Sequence, residues 1–190
     1  VADWLELMNP ANSADWSKTF KLTTDIDFKG AEITPVGPDT EDDATYSFQG
    51  TPFSGVFDGQ NFRLLNAVIN QPAKDYVGVF GQIFGKAQVR NLGVENVRVT
   101  GRNYVGGLAG ASSSKIIYCY VKGAVKGGRF VGGLVGQGSR MEYCYTEVSV
   151  EGVNTVGGLV GSQGFNTIRY CYSQGTVQGV DYVGGLGGRM

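Results

Sequence analysis

The sequence predicts an all-β solenoid with a short helix covering its N-terminal end. A heptad refrain, Tyr104-Val105-Gly106-Gly107-Leu108-Ala109-Gly110, returns at Phe130 to Gly136, Thr155 to Gly161 and Tyr182 to Gly188. Successive copies lie 26, 25 and 27 residues apart. A second refrain, Tyr-Cys-Tyr, falls between them at 118–120, 143–145 and 170–172, and a fainter first refrain occupies Tyr76 to Gly81. Repeats of this length cannot bury an apolar face alone and must stack on their neighbours. Between the refrains the residues alternate with period 2, the signature of half-buried strands.

Bulk composition narrows the classes. The 31 glycines accompany only 5 prolines and follow no triplet period, and the apolar content of 42% is too high for a disordered chain. Net charge is −1 with both signs interspersed, which leaves no electrostatic footprint for nucleic acid or an anionic membrane. No apolar run is long enough to span a bilayer and no signal peptide is visible. The chain opens mid-element at Val1 and stops mid-repeat at Met190, which reads as part of a larger chain. Histidine is absent, so the usual catalytic triad and zinc-protease motifs have no histidine to use.

Three stretches follow. Residues 1–19 form a helical cap and loop: 2–9 a short helix with Trp4, Leu5 and Met8 on one face, ended by Pro10, then a loop over 11–18. Residues 20–75 hold irregular initial rungs. Phe20 to Phe28 alternates as one strand, with Phe20, Leu22, Thr24, Ile26 and Phe28 facing one way. Asp25 and Asp27 share the opposite face at a spacing of about 6–7 Å, which overlaps that of glycosidase carboxylates, but nothing nearby would split their pKa values. A solvated face is the simpler reading. Residues 38–46 are an acidic loop, solvated rather than calcium-binding, since the EF-hand ligand spacing is missing. Leu64, Val68 and Ile69 around the Asp58-Gly59 turn are core. Residues 76–190 are regular rungs of 25–28 residues, truncated at the C-terminus.

Overlaying the regular rungs stacks Val105, Val131, Val156 and Val183 in one column and Leu108, Leu134, Leu159 and Leu186 in another. Val99, Val125, Val150 and Val177 form a third. The paired glycines mark a bend where side chains do not fit or φ is positive. Cys119, Cys144 and Cys171 point inward, in a place that Leu92 fills one rung earlier, so they read as small core hydrophobes. A disulfide is the alternative, but parallel Cβ vectors suit a bridge poorly and three cysteines leave one over. No C-x-x-C pair suggests a metal. On the outward face Tyr120, Tyr145 and Tyr172 stack as a ladder, with Tyr118, Tyr143 and Tyr170 beside a corner that leaves their direction open. Neighbouring rings packing on one another explains the ladder; a stripe of exposed aromatics that binds sugars is the functional alternative. The glycine refrain lacks the Gly-Lys-Ser/Thr ending of a phosphate loop, and the calcium nonapeptide repeat lacks its aspartate.

The repeats resemble the GLUG motif, named for Gly-Leu-hydrophobic-Gly, in Gly107 to Gly110, Gly133 to Gly136 and Gly158 to Gly161. The last copy departs, with Gly187 in the hydrophobic place. Leu22 to Phe28 and Phe57-Asp58-Gly59 resemble segments that precede such repeats in bacterial surface proteins. The resemblance implies a single-stranded right-handed parallel β-helix, extracellular or on the bacterial cell surface, as in the non-catalytic part of immunoglobulin A-specific metallopeptidases. It carries over no catalytic residue, metal or cofactor. The expectation is a non-enzymatic adhesive, ligand-binding or spacer module, with Tyr120, Tyr145 and Tyr172 as the binding face for a host or cell-surface glycan or protein. Nucleic acid and membrane insertion are not expected. The alternatives are a polysaccharide lyase or hydrolase, by analogy of fold, and a substrate-positioning module of a larger surface protease.

Overall fold

The computed structural model describes residues 2–41, 47–164 and 167–190. Its strands wind into a solenoid in which every pairing is parallel and joins one coil to the next. The first sheet runs through Thr19–Lys21, Val56–Asp58, Gln88–Arg90, Ala109–Ile117, Val135–Glu142, Val160–Gln163 and Gly187–Arg189. The second runs through Ile26–Asp27, Arg63–Leu65, Gly93–Gly101, Tyr120–Lys126, Tyr145–Glu151 and Tyr172–Gln178. A third, of Asn103–Gly106, Arg129–Gly132, Asn154–Gly157 and Asp181–Gly184, closes the cross-section of the regular coils.

The stacked columns emerge as the repeats require. Val131 is in register with Val105 and Val156, and Val125 with Val99 and Val150. Leu108, Leu134, Leu159 and Leu186 are joined by successive backbone hydrogen bonds. These side chains fill one core from the cap to the last coils, with Val105, Leu108, Leu134 and Val156 wholly buried. Burying an aliphatic side chain is worth about 1.5–3 kcal/mol, so each coil is stabilised chiefly by the two beside it. Thr146 is the polar member of the inward column. Its hydroxyl is satisfied by donating to the Gly158 carbonyl at 2.8 Å.

Three local expectations change. Residues Phe20 to Phe28 are not one strand: Thr19–Lys21 joins the first sheet and Ile26–Asp27 the second. A corner between them turns Leu22 and Phe28 into the core and leaves Thr24 exposed. Alternation continued by chance across the corner. Residues 11–18 are not loop, because a 3-10 helix spans Pro10–Ser17. The Asn9 side chain accepts from the Ala11 N–H, and buried Trp16 donates its indole N–H to the Leu7 carbonyl at 2.8 Å. On the helix Ala2–Met8, Leu7 rather than Leu5 packs inward beside Trp4 and Met8, while Leu5 is exposed. Trp4 meets Phe28 and Phe57 edge-on at 5.9 and 5.6 Å, which seats the helix on the first coils.

The paired glycines are needed for space, not for φ. A Cβ on Gly133 would lie 2.1 Å from the Gly158 carbonyl oxygen and 2.5 Å from Val148 Cγ2, so two coils pass too closely for any side chain. The left-handed positions belong instead to Tyr76, Tyr104, Phe130, Thr155 and Tyr182 at the head of each refrain, and to Tyr118, Tyr143 and Tyr170. We expect Gly133→Ala to destabilise the protein by about 2–3 kcal/mol, as overpacking does. Gly185→Ala, the equivalent position with open space around its Cβ, should be neutral in this 190-residue chain. Urea unfolding of the two variants checks the contrast.

Candidate functional site

Two tyrosine ladders flank the corner between the first and second sheets. Tyr120, Tyr145 and Tyr172 are register partners on the outer face of the second sheet. Their rings stack at 4.8 and 5.1 Å with planes 5° apart. Tyr120 and Tyr145 are half-buried and Tyr172 is exposed. The Tyr120 hydroxyl donates to Glu95 Oε1 at 2.6 Å. Burial, and then that bond, raises the Tyr120 phenol above its ordinary range, so it stays a protonated donor. The charges around this ladder are matched: Lys122 pairs with Glu147, Lys126 with Glu151, and Arg63 with Asp25.

The second ladder, Tyr118, Tyr143 and Tyr170, stacks at 4.8 Å at both steps. All three residues take φ of 52–54°. A left-handed L-residue costs roughly 1–2 kcal/mol, and an aromatic pair returns about 0.5–1.5 kcal/mol, so stacking offsets much of the strain. This backbone resolves the direction that the sequence leaves open, for the rings turn outward and are 56%, 44% and 72% exposed. The inner ring, Tyr143, has both faces against its neighbours. Where the rings stack, their edges are left to face away from the ladder, and the edge is the positive end of the aromatic quadrupole.

A third ladder escaped the sequence reading. Tyr76, Tyr104 and Phe130 stack at 4.5 and 4.8 Å, Phe48 packs edge-on against Tyr76, and both tyrosines are buried. Its signal was present, since an aromatic residue heads three successive refrains. The burial makes it a packing element.

The carboxylates of the early coils are committed to neighbours. Asp25 accepts from the Arg63 guanidinium at 2.6 Å and from its N–H at 2.8 Å; Asp27 accepts from Asn66 Nδ2 at 2.7 Å and from the Lys29 N–H. These bonds hold both acids below the usual range, so both are ionised and bridge coils, Asp25 from a half-buried and Asp27 from an exposed position. Asp58 is buried and accepts from Gln60 N–H, Arg90 Nε and Asn91 Nδ2. In the acidic loop, Asp39 accepts from the Gln49 N–H at 2.9 Å; residues 42–46 lie outside the described residues. Among the described residues, no three histidine, cysteine or acidic side chains converge as a metal would need.

The cysteine column faces inward, with all three thiols free. Tyr120 and Tyr145 donate their N–H groups to the carbonyls of Leu92 and Cys119, which confirms that leucine and cysteine share the column. Burial pushes the Cys119 thiol up to about 12. Cys171 is only partly covered and is held below the ordinary thiol range, first by the Cys144 side chain and also by the Cys144 N–H at 3.4 Å. Iodoacetamide at pH 8 should therefore modify Cys171 first, with Cys119 and Cys144 reacting only after unfolding, as peptide mass spectrometry would read.

Asp58 gives a pH prediction. Burial alone would raise its pKa, but the hydrogen bonds from Asn91, Gln60 and Arg90 outweigh it and the result is lowered. Its contribution is complete above the unfolded carboxylate value of about 3.9 and is lost as pH falls through the lower folded value. Asp58→Asn should cost about 2 kcal/mol at pH 7, and the gap to the parent protein should narrow toward pH 3 in urea titrations.

Residues 101–126 and 152–178 match the GLUG motif. Over 129 residues, 63% of its length, the chain is 32% identical to halomucin of Haloquadratum walsbyi, and it spans 1% of that protein. It shares its fold with a candidate immunoglobulin A1 protease from Bacteroides ovatus, with a TM-score of 0.74 at 24% identity, over 90% of this chain and 55% of the other. Two stretches of the chain thus match the GLUG motif, and its refrains stack in register within a parallel β-solenoid.

Proposed function

We propose that the chain is a non-enzymatic β-helical module of a secreted or cell-surface protein, and that its tyrosine corner binds glycan. The observation that carries this reading is the in-register row of exposed rings at Tyr118, Tyr143 and Tyr170. Behind it stands the ladder of Tyr120, Tyr145 and Tyr172. Such a surface offers phenol hydroxyls and apolar ring edges at the spacing of the coils, about 4.8 Å. An extended polymer lying along the solenoid axis meets one ring per coil. Similarity to halomucin supports placement outside the cell. The ion pairs of Asp25 and the bridging of Asp27 and Asp58 favour structural roles for these carboxylates over acid–base chemistry.

A second reading has one observation in its favour. The shared fold with the candidate protease of Bacteroides ovatus suits a module that positions a protein substrate for a catalytic domain elsewhere in a larger chain.

A glycan array separates the readings when probed with the parent protein and with two triple variants. Tyr118→Ala/Tyr143→Ala/Tyr170→Ala should weaken retention at least about tenfold, since each lost aromatic contact is worth about 0.5–1.5 kcal/mol. Tyr120→Ala/Tyr145→Ala/Tyr172→Ala should weaken it less, because Tyr120 and Tyr145 are half-buried. Silence of the parent protein on every glycan would discard this proposal, and retention on immobilised immunoglobulin A1 would favour the second.

A further inference from the structure

On the outer face of the first sheet, Lys115 stands directly opposite Arg140. Like charges facing each other across a strand pair destabilise a sheet. The second sheet avoids this arrangement: Lys122 faces Glu147 and Lys126 faces Glu151, and both pairs are bonded. Lys115 and Arg140 are exposed and form no ion pair among the described residues. Two residues along, toward the corner, the outward column reads Arg90, Ile117, Glu142 and Arg169. Arg90 is held by Asp58, whereas Arg169 is exposed. One residue further stands the tyrosine row.

Lys115, Ile117, Arg140, Glu142 and Thr167 line a groove of about 250 Å³ along this strip. Two cations of this lining, Lys115 and Arg140, thus accompany one carboxylate, Glu142, with Arg169 exposed alongside, and none of the three cations forms an ion pair among the described residues. The ring edges bordering the groove add the positive end of their quadrupoles and their hydroxyl donors. All these features attract oxygen anions, and Glu142 can accept from neutral sugar hydroxyls.

We propose that the corner takes acidic polysaccharide, with Lys115 and Arg140 binding its anionic groups and Tyr118, Tyr143 and Tyr170 supporting the sugar backbone. This rests on the glycan-binding reading above and names its ligand class. Carboxylate and sulfate groups share the required chemistry, and separate probes distinguish them.

The test is calorimetric titration with polygalacturonate, dextran sulfate and neutral dextran. The parent protein should bind at least one polyanion, more weakly as salt is added. Lys115→Gln/Arg140→Gln should weaken that binding by about tenfold or more through loss of charge-assisted contacts. Lys122→Gln/Lys126→Gln, which removes lysines already paired with acids, should change it by no more than about twofold. The double glutamine variant should melt no lower than the parent protein, because it relieves repulsion. If it fails to fold, Lys115→Arg/Arg140→Lys must retain binding. Polyanion binding unchanged in Lys115→Gln/Arg140→Gln overturns the assignment. Dextran bound as tightly as the polyanions, and still dependent on the tyrosines, removes the acidic preference and leaves the glycan platform intact. Absence of binding to all three probes, with silence on the array, removes both.

Discussion

In-register parallel hydrogen bonding between coils places each residue on its counterpart about 4.8 Å away, and the rest of the structure follows from that constraint. A residue type can fill a column only if it tolerates a copy of itself above and below. Valine and leucine do, and they build the core. Glycine does where backbones crowd, as at Gly133 against Gly158. Tyrosine does by stacking its ring. Charge does so only at a cost, and so Lys122 and Lys126 are followed one coil on by Glu147 and Glu151, while Lys115 faces Arg140.

The same constraint is met differently along the axis. In the early coils the corners are tied by polar side chains that reach from one turn to the next. Asp58 gathers Arg90 and Asn91, Asp75 gathers Arg102 and Asn103, and Asn66 links Asp27 to Asn96. From Tyr118 onward the left-handed corner that Asn91 occupies in the preceding coil passes to tyrosine. Asparagine tolerates that backbone readily, whereas tyrosine needs compensation. The stacked neighbour supplies it. A strained corner thereby becomes an exposed aromatic row, which links the packing rule to the surface on which the proposed function rests.

The outer surface is a linear array, so the environment of each column decides its use. Tyr120 spends its hydroxyl on Glu95 and sits among matched charges. Tyr118 and its stack border cations that no described residue neutralises. In the third row Tyr76 and Tyr104 are buried and Phe130 is half-buried, and the row serves packing. Three chemically similar ladders thus have three different exposures, and exposure follows from the backbone at each corner.

The periodic part of this architecture was legible in the sequence because the repeat length and the period-2 alternation are themselves consequences of stacking. The columns Val105 to Val183, Leu108 to Leu186 and Leu92 to Cys171, and the outward ladder from Tyr120, could all be placed by counting. The non-periodic part was not legible. The split of Phe20 to Phe28 across a corner, the 3-10 turn under Trp16 and the inward turn of Leu7 depend on contacts distant in sequence. Lys115 and Arg140 each precede a Tyr-Cys-Tyr refrain by three residues, so their alignment was countable. The absence of an ion-pair partner for either among the described residues was not. Composition showed mixed charge of nearly zero sum, and only the winding of the chain sorted it into a neutralised face and a basic one. The sequence by itself determined which residues share a column; the tertiary structure decided which way each corner turns them and what stands beside them, because those depend on backbone conformation and on neighbours a whole coil away.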